Sequence, residues 1–198
     1  MSLAAGYALL ASAPMAKLGE ALVHRICVTR FAGREPEFRA AGRYRFDDPN
    51  RHFGTLYCAR DFGTCFLETL LRARGSVVVP HADYALRATL LLLLDTNQLR
   101  LVDFFSTAAL AVLGLDLADA VSGDYRDTQR LAALVHAHSD GFHGIVYRSR
   151  FDPEQAAMVL FDRAKPLVRR WPGSKPLALT KVTELSDAVR NRVPFKIV

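Results

Sequence analysis

Apolar and polar residues alternate from Ala21 to Thr29, with Leu22, His24, Ile26 and Val28 on one side and Val23, Arg25 and Cys27 on the other. This period of two predicts a strand. Arg25 is flanked on its own side by apolar residues, so it is either an edge residue whose head snorkels to water or a buried cation that needs an anion. A second short strand is predicted over TLYCA at 55–59, which carries Tyr57. Directly behind it, Asp61 can cap a helix whose apolar positions are Phe62, Cys65, Phe66, Leu70 and Leu71. Glu68 stands inside that pattern, and two readings are open: a solvated helix glutamate, or a carboxylate at the edge of the apolar face that points into a cleft. The stretch from Gly42 to Arg74 thus gathers Arg43, Arg45, Tyr57 and Glu68 into one local unit.

The rest of the chain continues the alternation of strands and helices. FAGREPEFRAAGRYR, rich in charge, reads as a loop crossing the surface, and DDPN at 47–50 is a turn by its side-chain chemistry. SVVVP is a β-prone run stopped by Pro80, and ALRATLLLLLD at 85–95 predicts a strand covered on both faces. TNQLRLVDF supplies a turn and another strand. Ser106 to Ala120 is helical in pattern with a break at Gly114, and SGDY separates it from a helix that starts at Arg126 or Asp127 and buries Leu131, Leu134 and Val135. DGFHGIVYRSR predicts a strand ending at Ser149 and Arg150, AAMVLFD another, and LALTKVTEL a last one. The expected fold class is α+β, a mixed sheet flanked by helices in a single domain over 1–198. Its core spans about 22–162, with an N-terminal arm or helix over 1–20 and a C-terminal extension over 165–198.

Composition narrows the partners without choosing one. A formal charge of +6 and a pI near 9.5 admit nucleic acid, acidic proteins or phosphate-bearing small molecules. The arginines are scattered and no nucleic-acid-binding motif accompanies them, so direct nucleic-acid binding is not expected. Cys27, Cys58 and Cys65 read as buried free thiols of a reducing compartment. The five-leucine run at 90–94 is too short to span a bilayer. The first residues lack a basic segment before Leu3, and Gly6, Ser12 and Pro14 dilute their apolar character, so they read as part of the fold rather than a secretion signal. A cytoplasmic protein is expected. Asp47 and Asp48 need no metal, and His136 and His138, two apart, diverge on a helix; no metal site is expected. Ser149 lies outside any G-x-S-x-G elbow and has no evident base.

Taken together, Arg25 after a strand-like approach, Arg45-Phe46 some twenty residues on, Leu56-Tyr57 with Glu68 eleven residues after the tyrosine, and Gly144-Ile145 with Ser149-Arg150 resemble the RES domain, a family named for its arginine, glutamate and serine. The resemblance runs from about Leu22 to Asp162. It implies an ADP-ribosyltransferase-like fold, a bacterial toxin that consumes NAD, and an Xre-type antitoxin that blocks the active site. His24 stands where the family often has an aromatic, and Arg43 is an added arginine without a family role.

The chemistry of those residue types suits that implication. Paired guanidiniums match a pyrophosphate, the task expected of Arg25 and Arg45. Tyr57 can stack on the nicotinamide or its ribose. Cleaving the nicotinamide–ribose bond builds positive charge on the sugar, which a carboxylate, Glu68, stabilises. Nicotinamide leaves from a cationic pyridinium and needs no general acid, so a second carboxyl is unnecessary. The resemblance therefore assigns Glu68, Arg45 and Tyr57 to catalysis, and Arg25, Arg45, Tyr57 and Ser149 to substrate binding, with Ser149 expected on the carboxamide or ribose. NAD is substrate, and no cofactor is expected. Hydrolysis or phosphorolysis of NAD is the expected reaction, with mono-ADP-ribosylation of a protein, or a non-catalytic basic binding module, as alternatives; self-association is left open.

Overall fold

A computed structural model describes residues 10, 12–19, 21–71, 78–112 and 125–198. The alternating run around Arg25 forms β1 (Leu22–Val28), and TLYCA forms β2 (Thr55–Ala59). Asp61 caps α1 (Phe62–Leu70) by accepting from the Thr64 N–H at 2.9 Å. There follow β3 (Val78–Val79), α2 (His81–Ala85), β4 (Arg87–Leu94), β5 (Leu101–Phe104), α3 (Thr107–Val112) and α4 (Arg126–Ala137). The last elements are β6 (Gly144–Arg148), β7 (Ala156–Phe161), β8 (Val168–Arg170), β9 (Leu177–Ala178), α5 (Thr183–Arg192) and β10 (Lys196–Ile197). The expected break at Gly114 and all of the SGDY stretch but Tyr125 lie outside the described residues, as do most of the first twenty positions.

Among the described residues the main sheet runs β5-β6-β7-β2-β1-β4-β8, with β9 also on β4. Only β5 and β6 pair in parallel; the other neighbours are antiparallel, so the sheet is mixed as expected. One face packs against α1, α4 and α5, joining Ile26, Ile145, Val159 and Phe161 to Phe66, Val135 and Val189. The other buries Val23, Leu92, Val146, Met158 and Leu160 under Ala16, Phe38, Ala164 and Leu167. Gly144 lets β6 and β7 approach: a Cβ there would overlap the Val159 carbonyl. The N-terminal arm is seen at Met15, which bridges Val102 on the outer edge of β5.

Two expectations need refinement. The charge-rich segment after β1 runs mostly along the surface, but it begins with a 3₁₀ turn over Thr29–Arg34 and buries Ala32 and Glu35. LALTKVTEL is not a strand beyond Leu177–Ala178, because it continues through a 3₁₀ turn at Leu179–Lys181 into α5. Its buried positions, Leu179, Ser186 and Val189, follow helical rather than alternating spacing. The chain after residue 165 is therefore built into the fold, with β8 and β9 in the sheet and the Tyr84 hydroxyl donating to Leu179 O at 2.6 Å.

Candidate active site

The site begins with a split in the sheet. All of β1 pairs with β4, from Leu22↔Leu93 to Val28↔Arg87, but β1 meets β2 only at His24↔Ala59. Continued antiparallel register would set Ile26 against Tyr57 and Val28 against Thr55. Instead Thr55 exchanges both backbone bonds with Arg39, at 3.0 and 3.1 Å. The gap between the strands is an open cleft lined by Ile26, Val28, Tyr44, Tyr57, Glu68 and Tyr147.

Backbone groups exposed by such a split need other partners. Arg25 supplies one, its Nη1 donating to Tyr57 O at 2.9 Å. Its Nη2 reaches Glu35 Oε1 at 3.4 Å, and the Glu35 side chain is 0% exposed. Arg25 is thus the buried cation of the two sequence readings, and its anion comes from within the chain. Burial opposes the charge most strongly, but Glu35 with the neighbouring Cys27 and Cys65 together favour it more, and the guanidinium pKa is raised. Glu35 is itself held by the Glu37 N–H, which donates to Oε2 at 2.8 Å.

Arg45 sits in the turn that starts at Tyr44, whose carbonyl accepts from the Asp47 N–H at 3.1 Å. Asp47 fixes this turn. Its Oδ2 accepts from the N–H groups of Arg43 and Tyr44 at 3.1 and 3.0 Å, and its Oδ1 accepts from the Thr55 and Tyr57 hydroxyls at 2.7 and 3.0 Å. The Tyr57 hydroxyl in turn accepts from Phe46 N–H at 2.9 Å, so the polar end of Tyr57 serves the turn and its ring lines the cleft. Arg45, 6% exposed, donates to Arg148 O at 3.3 Å, and its guanidinium lies 5.3 Å from the Tyr147 ring centroid. Burial lowers its pKa, while Tyr147 and Glu68 act in favour of its charge. Among the described residues, Nε of Arg25 and of Arg45 has no hydrogen-bond acceptor.

Glu68 takes the second of its two readings. It projects from α1 into the cleft, and its Oε1 accepts from Ser149 Oγ at 2.8 Å and from Arg150 N–H at 2.9 Å. No bond among the described residues reaches Oε2. Ser149, just past β6, is 0% exposed, and its Oγ also accepts from the N–H groups of Phe151 and Asp152 at 3.3 Å each. The Ser149 hydroxyl is thus enclosed and donates to Glu68, the carboxylate that faces the cleft.

Of the five residues singled out from the sequence, Arg25, Tyr57 and Glu68 line the cleft, as does Arg43; Ser149 bonds to Glu68, and Arg45 lies near enough to Glu68 to feel its charge. The model of the RES domain family matches residues 22–180. The chain belongs to the RES domain family. Among solved structures it is similar to a chain of the crystal structure of the M. tuberculosis MbcT–MbcA toxin–antitoxin complex, at 15% identity and a TM-score of 0.71, covering 94% of this chain and 100% of that one. At that identity the likeness is one of fold. No curated protein matches the chain.

Two polar residues of this RES domain escaped sequence reasoning. Glu35 lay in a segment whose charge density suggested solvent, and Asp47 looked like an ordinary turn aspartate. The only signal for Glu35 was Arg25 itself, a cation on an apolar strand that called for an anion. The RES domain's three cysteines are free and buried, as expected. Burial pushes the thiol pKa of Cys27 up to about 11 and of Cys65 up to about 12, and raises that of Cys58 as well. Among the described residues no helix is long and apolar enough to cross a membrane, and no cluster suits a metal ion.

Proposed function

We propose that this RES domain is the toxin of a toxin–antitoxin pair and that it cleaves NAD at the bond between nicotinamide and ribose. The observation that carries this reading is the Glu68 carboxylate, held on Oε1 by Ser149 and Arg150 and turned into a cleft beside Arg45 and Tyr57. Bond cleavage sends the electron pair of the C1′–N1 bond to the pyridinium nitrogen, and neutral nicotinamide leaves. The ribose is left with oxocarbenium character, which the Glu68 carboxylate stabilises at short range. An acceptor oxygen then bonds to C1′ and releases its proton to solvent. Water gives ADP-ribose and inorganic phosphate gives its 1-phosphate ester, while a protein side chain would give the mono-ADP-ribosylated protein.

Arg45 and Arg25 suit the pyrophosphate because guanidinium forks match its oxygens. Arg45 has the stronger claim, since Arg25 is already paired with Glu35. Tyr57 offers its ring face to the nicotinamide side of the ligand, and Ser149 keeps Glu68 in place. The similarity to a chain of a toxin–antitoxin complex supports an antitoxin partner, for which the Xre type follows from the family resemblance. A cytoplasmic location follows from the substrate.

Incubating the purified protein with NAD and chromatographing the products tests this. Nicotinamide released in proportion to protein is the expected result, and mass spectrometry of the remaining product identifies the acceptor. No nicotinamide at any protein concentration contradicts the reading.

A further inference from the structure

The two segments that fix Glu68 are themselves joined by a side chain from the far end of the chain. Arg192, on the last turn of α5, donates from Nη1 to Asp61 Oδ1 at 2.6 Å and from Nη2 to Asp152 Oδ2. A longer contact runs from Nη2 to Thr64 Oγ1 at 3.4 Å. Asp61 is the N-cap of α1, the helix that carries Glu68. Asp152 belongs to the loop that Ser149 ties down, its N–H donating to Ser149 Oγ at 3.3 Å. One guanidinium thus spans the start of the glutamate's helix and the loop whose serine and Arg150 N–H grip the carboxylate. A planar fork with five donors can bridge two carboxylates in this way, whereas an ammonium holds them as a point charge.

Gly63 bears on the same contact. A Cβ at that position would overlap Arg192 Nη1, so the first turn of α1 is kept bare where the guanidinium crosses it. Glycine is a poorer helix former than alanine, so its presence here favours the close approach over helix stability.

We propose that Arg192 is a positioning residue for the reaction, locking α1 to the Ser149–Gln155 loop so that the Glu68 carboxylate keeps its orientation. This deepens the proposed function and rests on that reading. Arg192 lies beyond the residues 22–180 that the family model matches. The Arg192, Asp61 and Asp152 side chains are partly exposed, at 36%, 37% and 18%, and exposed ion pairs contribute little to global stability. Docking of α5 relies instead on Val189 and on Phe195, whose ring lies 5.0 Å from that of Phe66.

The test uses the full chain and two readouts, amide hydrogen exchange and nicotinamide release, on Arg192→Met, Arg192→Lys and Gly63→Ala. In Arg192→Met the Arg150 amide should exchange about tenfold faster while β2 and β7 amides keep their protection. Its kcat should fall about tenfold with KM within about twofold, since orientation rather than binding is lost. The lysine variant should fall between. Gly63→Ala keeps every charge and displaces the guanidinium, with a lesser contact of 3.1 Å to Asp61 Oδ1, so it should reproduce the methionine variant in Arg150 exchange and kcat. Unchanged Arg150 exchange and kcat in both Arg192→Met and Gly63→Ala overturn the proposal. If the parent protein releases no nicotinamide, NAD cleavage fails, and faster Arg150 exchange in these variants still upholds the strut.

Discussion

The Ser149 hydroxyl donates to Glu68 Oε1 at 2.8 Å across 81 positions of sequence, joining the end of β6 to the last turn of α1. Because Ser149 is fully buried and Glu68 faces the cleft, the bond ties the cleft carboxylate to the end of the sheet. Ser149→Ala should therefore lower kcat for nicotinamide release by about ten- to a hundredfold with little change in KM. Steady-state kinetics decide between the two roles of this serine, because direct contact with NAD would raise KM instead.

Tyr57 separates a ring from a hydroxyl. Its hydroxyl bonds Asp47 and Phe46, and its ring faces the cleft. Tyr57→Phe should keep NAD affinity within about threefold and lose about 1–2 kcal/mol of stability, because Phe46 N–H loses its acceptor. Tyr57→Leu should lose affinity as well. Calorimetric titration with NAD and thermal melts on both variants check this.

The two arginines should respond differently to truncation. Arg45→Ala removes a cation beside Glu68 and should weaken binding of both NAD and the antitoxin, since a basic cleft also receives an acidic segment. Arg25→Ala leaves the enclosed Glu35 carboxylate without its partner and should cost about 3–5 kcal/mol of stability. Adding Glu35→Gln to Arg25→Ala should restore much of that loss. Denaturant melts of the single and double variants measure it.

Stability should fall on the acid side of neutrality. Burial lowers the pKa of His24 against the opposing pull of Asp61, and burial with Arg163 lowers that of His136 against Asp162. Each histidine binds a proton less readily folded than unfolded, so the melting point should be flat above the ordinary histidine value of about 6.5 and decline as pH drops below it. His24→Asn should flatten part of that decline. A melting point that rises between pH 7 and pH 5.5 would contradict the assignment.

How far the sequence carried depends on whether the cause was local. Asp61 caps α1 where expected, and TLYCA forms β2 to the residue, because capping and alternation act between near neighbours. Arg25, Arg45, Tyr57, Glu68 and Ser149 were each legible as candidates, and the structure sets Arg25, Tyr57 and Glu68 in one cleft with Ser149 bonded to Glu68. The bonds among them were not legible. Glu35 is buried only because Arg25 lies beneath it, and Asp47 is a hub only because Thr55 and Tyr57 return to it. The split between β1 and β2, which creates the cleft, follows from Arg39 capturing Thr55, a pairing with no alternation to announce it.

The most direct test replaces one atom of the Glu68 carboxylate. Glu68→Gln keeps the shape and can still accept from Ser149, but it removes the charge that faces the departing pyridinium. With NAD saturating, single-turnover release of nicotinamide should fall by at least about a hundredfold while NAD affinity stays within about threefold of the parent. Parent-like release by Glu68→Gln would contradict the mechanism.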